Sequence, residues 1–144
     1  MSRLKKVALL SVSTVAVVAA IAAPAQAGTA EVIVDDGTGP SLPCDVTFDN
    51  TGAPPTSPIT ISNVVANTAD PDCTVVIVDG GGTLTIGATA SLDGNFTVDA
   101  GFWNCNYAGT LTGAAAATTL SGTATTGGFL CPASVAVTLQ NIVY

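Results

Sequence analysis

An all-β, antiparallel sandwich of about eight strands is the fold class that this sequence predicts, and three observations predict it. Apolar and polar residues alternate with period two through almost the whole chain after residue 27, with Gly, Asp and Pro turn signals between the alternating runs. Four cysteines, Cys44, Cys73, Cys105 and Cys131, are spread through the same region. Many short strands joined by such turns suit an Ig-like or jelly-roll-like sandwich held by two disulfides.

Taken in chain order, residues 1–27 read as an export signal. Arg3, Lys5 and Lys6 form a basic start, Val7 to Ala23 are almost wholly apolar or small, and Ala25-Gln26-Ala27 is a small-x-small cleavage site. Removing 27 of the 144 residues leaves 117, which suits a single exported domain over 28–144. Glu31-Val32-Ile33-Val34 is expected to be the first edge strand. Asp45 to Asp49 alternates, as do Ile59 and Ile61 between polar neighbours. Val75 to Val78 is apolar throughout and is expected to be a central strand. Thr83 to Leu92 reads as one strand, with Leu84, Ile86, Ala88, Ala90 and Leu92 on its dry face. Val135, Val137, Leu139 and Val143 share a face near the end. Turns are expected at Asp36-Gly37, Pro54-Pro55, Asp70-Pro71, Asp79-Gly80, Asp93-Gly94 and Gly127-Gly128. An outer-membrane barrel is the rival architecture, but it needs an apolar outer band with aromatic girdles, and aromatic residues are only 5% here.

The cysteines carry structure rather than chemistry. In an exported chain they are expected to pair, and the two comparable halves favour the sequential pairing Cys44 with Cys73 and Cys105 with Cys131. No CxxC spacing or basic neighbour marks them for metal or redox work.

Charge excludes whole classes of function. All three basic residues lie in the signal, there is no histidine, and loss of the signal takes the formal charge from −7 to −10. Nucleophiles lack a histidine or lysine to activate them, and polyanion partners such as nucleic acid lack lysine and arginine to hold them. The chain is therefore expected to be no enzyme, to need no cofactor or metal, and to keep no membrane span after signal cleavage. The aspartates read as turn formers: Asp36, Asp79 and Asp93 precede glycine and Asp70 precedes proline. Calcium is the one metal worth considering, at Asp70 with Asp72 or at Asp93 with Asn95, but neither pair fits an EF-hand and solvated turns are preferred.

The densest recognition-type cluster is Phe102-Trp103-Asn104-Cys105-Asn106-Tyr107. Phe102, Trp103, Asn104, Asn106 and Tyr107 are the candidate surface or ligand contacts, since flat rings beside amides stack on sugars or lie against hydrocarbon. For Trp103 a core role is favoured, because sandwich domains bury a tryptophan against a disulfide and Cys105 is two residues away.

Pro43-Cys44-Asp45-Val46-Thr47-Phe48, Ile59-Thr60-Ile61-Ser62-Asn63-Val64-Val65, Cys73, Cys105-Asn106-Tyr107-Ala108-Gly109-Thr110-Leu111-Thr112-Gly113, and Thr119-Leu120-Ser121-Gly122 before Cys131-Pro132 follow one another in the chain. In this order the chain resembles the secreted bacterial activators of alkane oxidation, the PraB-like family. The resemblance implies a secreted, non-enzymatic helper of growth on hydrocarbons, acting outside the cell or at its surface, with a hydrocarbon interface or cell-surface components as partners. A fimbria-like structural subunit that self-associates by strand addition is the competing class, and a small-ligand or carbohydrate-binding module the third; the periplasm is the alternative location for the exported chain.

Overall fold

A computed structural model describes residues 25–144 except Pro40, Asn67, Thr68, Asp70, Asp72, Thr74 and Ala100. Most of the expected export signal lies outside the described residues, as do Asp70 and Asp72. Eight strands follow one another: β1 (Gln26–Asp35), β2 (Cys44–Asn50), β3 (Ile59–Ala66), β4 (Val76–Ile86), β5 (Thr89–Asp99), β6 (Asn104–Ala114), β7 (Leu120–Thr125) and β8 (Ser134–Val143). The expected cleavage point after Ala27 falls two residues into β1.

Each strand is antiparallel to its neighbour in sequence, and β1 also pairs with β8, from Thr29 opposite Val143 to Asp35 opposite Ala136. That last ladder closes the sheet into an up-and-down barrel. The all-β class, the strand number and both disulfides match the sequence reading, but the sandwich is overturned: there is one continuous sheet, not two stacked ones. Glu31 to Val34 is not an edge, since β1 is hydrogen-bonded on both sides.

The alternation now has a clear meaning, because on a barrel wall successive side chains point in and out. Val32, Val46, Ile59, Leu84, Leu111, Leu120 and Val137 point inward and are buried. Burying each stabilises the fold by roughly 1.5–3 kcal/mol. Asp45, Thr47, Thr60, Thr83, Asp93, Thr110 and Thr123 point outward and are exposed. This polarity is the reverse of a membrane barrel, whose outer wall is apolar and whose lumen is polar. Outward residues also bond across strands: the Thr110 hydroxyl donates to the Asp93 carboxylate directly opposite, and Thr97 Oγ1 donates to Asn106 Oδ1 at 2.6 Å.

Several local expectations are corrected. Thr83 to Leu92 is the tip of a hairpin, the end of β4 and the start of β5. Its pairing sets Leu84 against Leu92 and Ile86 against Ala90, so the alternation keeps its phase through the tight turn and the two arms read as one strand. Asp79-Gly80 and Asp93-Gly94 lie inside β4 and β5 rather than in turns. Val76 to Val78 has one dry face only, with Ile77 buried and Val78 exposed. Val143 is exposed while Ile142 is buried, because Asn141 takes a left-handed backbone (φ 52°) and the register against β1 slips nearby. Asparagine tolerates that conformation, and one extra residue swaps the faces of everything beyond it.

Glycine has a positional role in the wall. Gly82, Gly94 and Gly109 lie directly opposite one another across β4, β5 and β6. A Cβ on any of them would come within 3.0 Å of the neighbouring strand's backbone. Glycine there lets neighbouring backbone approach where the wall bends, as at the corners of other barrels. Gly94→Ala should lower stability by about 2 kcal/mol or more in urea unfolding, whereas Gly39→Ala, where nothing lies within 4 Å, should change it by less than about 1 kcal/mol.

Candidate functional site

Because the strands alternate in direction, the four odd-to-even connections (β1–β2, β3–β4, β5–β6 and β7–β8) emerge at one end of the barrel. The other three emerge at the opposite end, where β8 also finishes. Both disulfides sit at the first end. Cys44, the first residue of β2, bonds Cys73 in the β3–β4 connection, and Cys105, near the start of β6, bonds Cys131 in the β7–β8 connection. Cys44 and Cys105 point inward from strands on opposite sides of the ring, so the bridges cap the lumen while holding two connections down. The Tyr107 hydroxyl adds a third restraint, donating to the Pro132 carbonyl at 3.0 Å.

The same end carries the exposed apolar surface. Phe102 and Phe129 are each 99% exposed, Leu130 59%, Leu42 47% and Trp103 40%. They belong to the β5–β6, β7–β8 and β1–β2 connections, which are consecutive around the rim because β8 adjoins β1. Trp103 stacks on Phe102 with ring centroids 6.5 Å apart. The Cys105–Cys131 bridge, with Cα atoms 5.8 Å apart, keeps Phe102 and Trp103 close to Phe129 and Leu130. Val65 and Val78, also exposed, lie toward this end of their strands, and among the described residues only Val143 is a large exposed apolar residue toward the other end. At the rim, Asp36 Oδ1 accepts from the Thr38 amide and hydroxyl, and the hydroxyl bond above all holds its carboxyl below the usual range.

The cluster singled out in the sequence divides between two environments. Phe102 and Trp103 form the exposed tip, and Asn104 and Asn106 lie outward on the wall. Tyr107 faces the other way: it is buried and stacks on Phe96 with centroids 5.3 Å apart, so its ring offers no surface contact. Trp103 is not the core residue expected, because it lies in the turn before β6 and the inward register position belongs to Cys105. Sequence reasoning missed Leu42, Phe129 and Leu130. Their signal is large apolar residues set among turn formers, in Ser41-Leu42-Pro43 and Gly127-Gly128-Phe129-Leu130.

Inside the barrel lies an apolar cavity of about 90 Å³, lined by residues from every strand, among them Val32, Val46, Phe48, Ile61, Leu111 and Tyr144. Tyr144 meets Phe48 edge-on at 6.2 Å, and its hydroxyl donates to the Ala117 carbonyl at 2.8 Å. Burial pushes its ionisation up to about 12. Tyr107 is also shifted upward, by burial and then by the charge of Asp36. Asp93, half of one calcium candidate, is engaged by Thr110 on the outer wall. Among the described residues no three His, Cys, Asp or Glu side chains converge as a metal site would require.

The chain matches no family model, no curated protein and no solved structure.

Two outcomes follow from this geometry. The folded chain keeps the Tyr144 proton to about pH 12, whereas the unfolded chain loses it near 10.0. The stability this contributes is full below pH 10 and is lost as pH rises through 12, so alkaline unfolding followed by circular dichroism should steepen in that window and flatten in Tyr144→Phe. Replacing Cys105 and Cys131 together by serine should cost roughly 3.5 kcal/mol in the chain-entropy treatment of a loop this long, read as a lower denaturation midpoint.

Proposed function

We propose that this protein is an exported, non-enzymatic, surface-active module that settles on a hydrocarbon–water boundary by its disulfide-bonded end. One observation carries the reading: Leu42, Phe102, Trp103, Phe129 and Leu130 converge on one rim of a barrel whose outer wall is mostly polar and small residues, threonine above all. An exposed apolar patch on a hydrophilic body marks a contact surface. Two fully exposed phenylalanines alone would contribute several kcal/mol on leaving water, enough for reversible adsorption. Disulfides beneath the connections keep the patch presented at little ordering cost.

Neutral oil suits this tip better than an anionic membrane. The chain has no basic residue after Lys6, and Asp35, Asp36 and Asp99 stand near the same rim, so a negative surface would repel it. The resemblance to activators of alkane oxidation points the same way. Two disulfides are compatible with an oxidising, extracellular or periplasmic location. Assembly by strand addition is disfavoured, since the closed barrel offers no free sheet edge to a donated strand.

The test is the hexadecane–water interfacial tension as oxidised protein is added, beside an acidic globular protein of similar size. The expected result is a larger drop for this protein, mostly lost in Phe102→Ser/Phe129→Ser and reduced in Trp103→Ala, with unfolding midpoints near wild type because these side chains are exposed. A drop no larger than the control, or one indifferent to the double substitution, would sink the reading.

A further inference from the structure

Three small residues stand side by side on the inner face of the barrel wall. Gly94 of β5 lies opposite Gly109 of β6, and Gly109 lies opposite Ala124 of β7. All three line the apolar cavity, so at that level this side of the wall sends nothing longer than a methyl group toward the centre. Two of them must be glycine, because a Cβ on Gly94 would collide with the Gly81 carbonyl and one on Gly109 with the Thr123 carbonyl. The cavity is thus a consequence of how closely the strands approach, and the wall itself keeps larger residues from filling it.

The lining decides what the cavity can take. None of its residues is charged, and only Asn95 and Tyr144 carry a polar side chain. Asn95 is exposed, on the outward position between Gly94 and Phe96, and the Tyr144 hydroxyl is committed to the Ala117 carbonyl at 2.8 Å. A hydroxyl, amide or charge placed here would find no side-chain partner among the described residues, a loss that water does not impose. Water needs polar partners too, so it competes poorly for such a space. The disulfides cap one end of the lumen, and the edge-on contact of Tyr144 with Phe48 closes the other, so a guest inside is shielded from solvent on all sides.

We propose that the lumen is a second binding site, independent of the apolar rim, for one small molecule that carries no polar group. Its size follows from the cavity: on the scale where benzene occupies about 150 Å³, a volume of 90 Å³ admits about four heavy atoms. The driving force is removal of apolar surface from water into a preformed apolar space, with no side chain to reorder.

The experiment exposes the methyl-labelled, oxidised protein to n-butane, to xenon and to 1-propanol, and follows methyl resonances by NMR. The expected result is saturable shifts at Val46, Leu111, Leu120 and Val137 with n-butane and with xenon. Binding of 1-propanol, which matches n-butane in heavy atoms but brings a hydroxyl with nowhere to bond, should be at least about fivefold weaker. Ala124→Leu, which fills the cavity from the β7 side, should abolish both apolar guests; if it fails to fold, the smaller Ala124→Val should weaken n-butane several-fold. Phe102→Ser/Phe129→Ser, at the rim, should leave lumen binding unchanged. The absence of saturable shifts at the lining methyls, shifts confined to Leu42 and Leu130, an n-butane affinity indifferent to the Ala124 substitutions, or 1-propanol binding as tightly as n-butane would each overturn the proposal. Each of these would leave the interfacial reading standing, because that reading is tested by substitutions at the rim.

Discussion

Closure of the sheet by the β1–β8 ladder is the constraint on which the rest of this structure depends. The ladder joins the first strand to the last, so it carries the longest loop-closure cost in the chain, and it forms only when all eight strands hold consistent registers. It removes both sheet edges and turns a one-sided sheet into an enclosed lumen. It also makes the first and last connections neighbours, which brings Leu42 beside Phe129 and Leu130 on the rim. Glu31 reinforces it from outside, its carboxylate accepting from Gln140 Nε2 at 2.8 Å and Asn141 Nδ2 at 2.9 Å.

The two ends of the barrel solve different problems. At the disulfide end the connections contain apolar residues that water does not favour, and covalent bridges hold them where packing alone would not. At the other end Tyr144 folds back on Phe48 and bonds the β6–β7 connection, closing the barrel with an aromatic ring. Small residues make this geometry available: the glycine row at Gly82, Gly94 and Gly109 lets neighbouring backbone approach where larger side chains would collide. The same economy leaves the lumen incompletely filled, since the Ala, Val and Gly residues in its lining do not reach the centre everywhere.

Much of the wall was legible residue by residue. Asp45 to Asp49, Ile59 with Ile61, and Val135 to Leu139 face as their alternation requires, because the alternation reports only which side is dry. What misled was anything that preserves or breaks phase: the β4–β5 turn kept it and hid a hairpin, while Asn141 broke it and exposed Val143. Glycine after aspartate reads as a turn in sequence, yet at Gly80 and Gly94 its small size serves a crowded wall. In the aromatic cluster, spacing to Cys105 suggested a buried Trp103, but Trp103 falls in the turn before β6, outside the alternation that turns Cys105 inward.

Composition and pattern by themselves determined that this chain is an all-β domain with two disulfide-bonded pairs, a hydroxyl-rich wet face and no lysine, arginine or histidine after the basic start, since those are properties of residue types and of their period. Whether the dry face closes on itself or meets a second sheet was decided only by tertiary structure: sandwich and barrel strands carry the same alternation, and they differ in register shift and wall curvature, which no local pattern records. The apolar rim belongs to that same level: it arises from residues distant in sequence that meet only after the last strand has found the first.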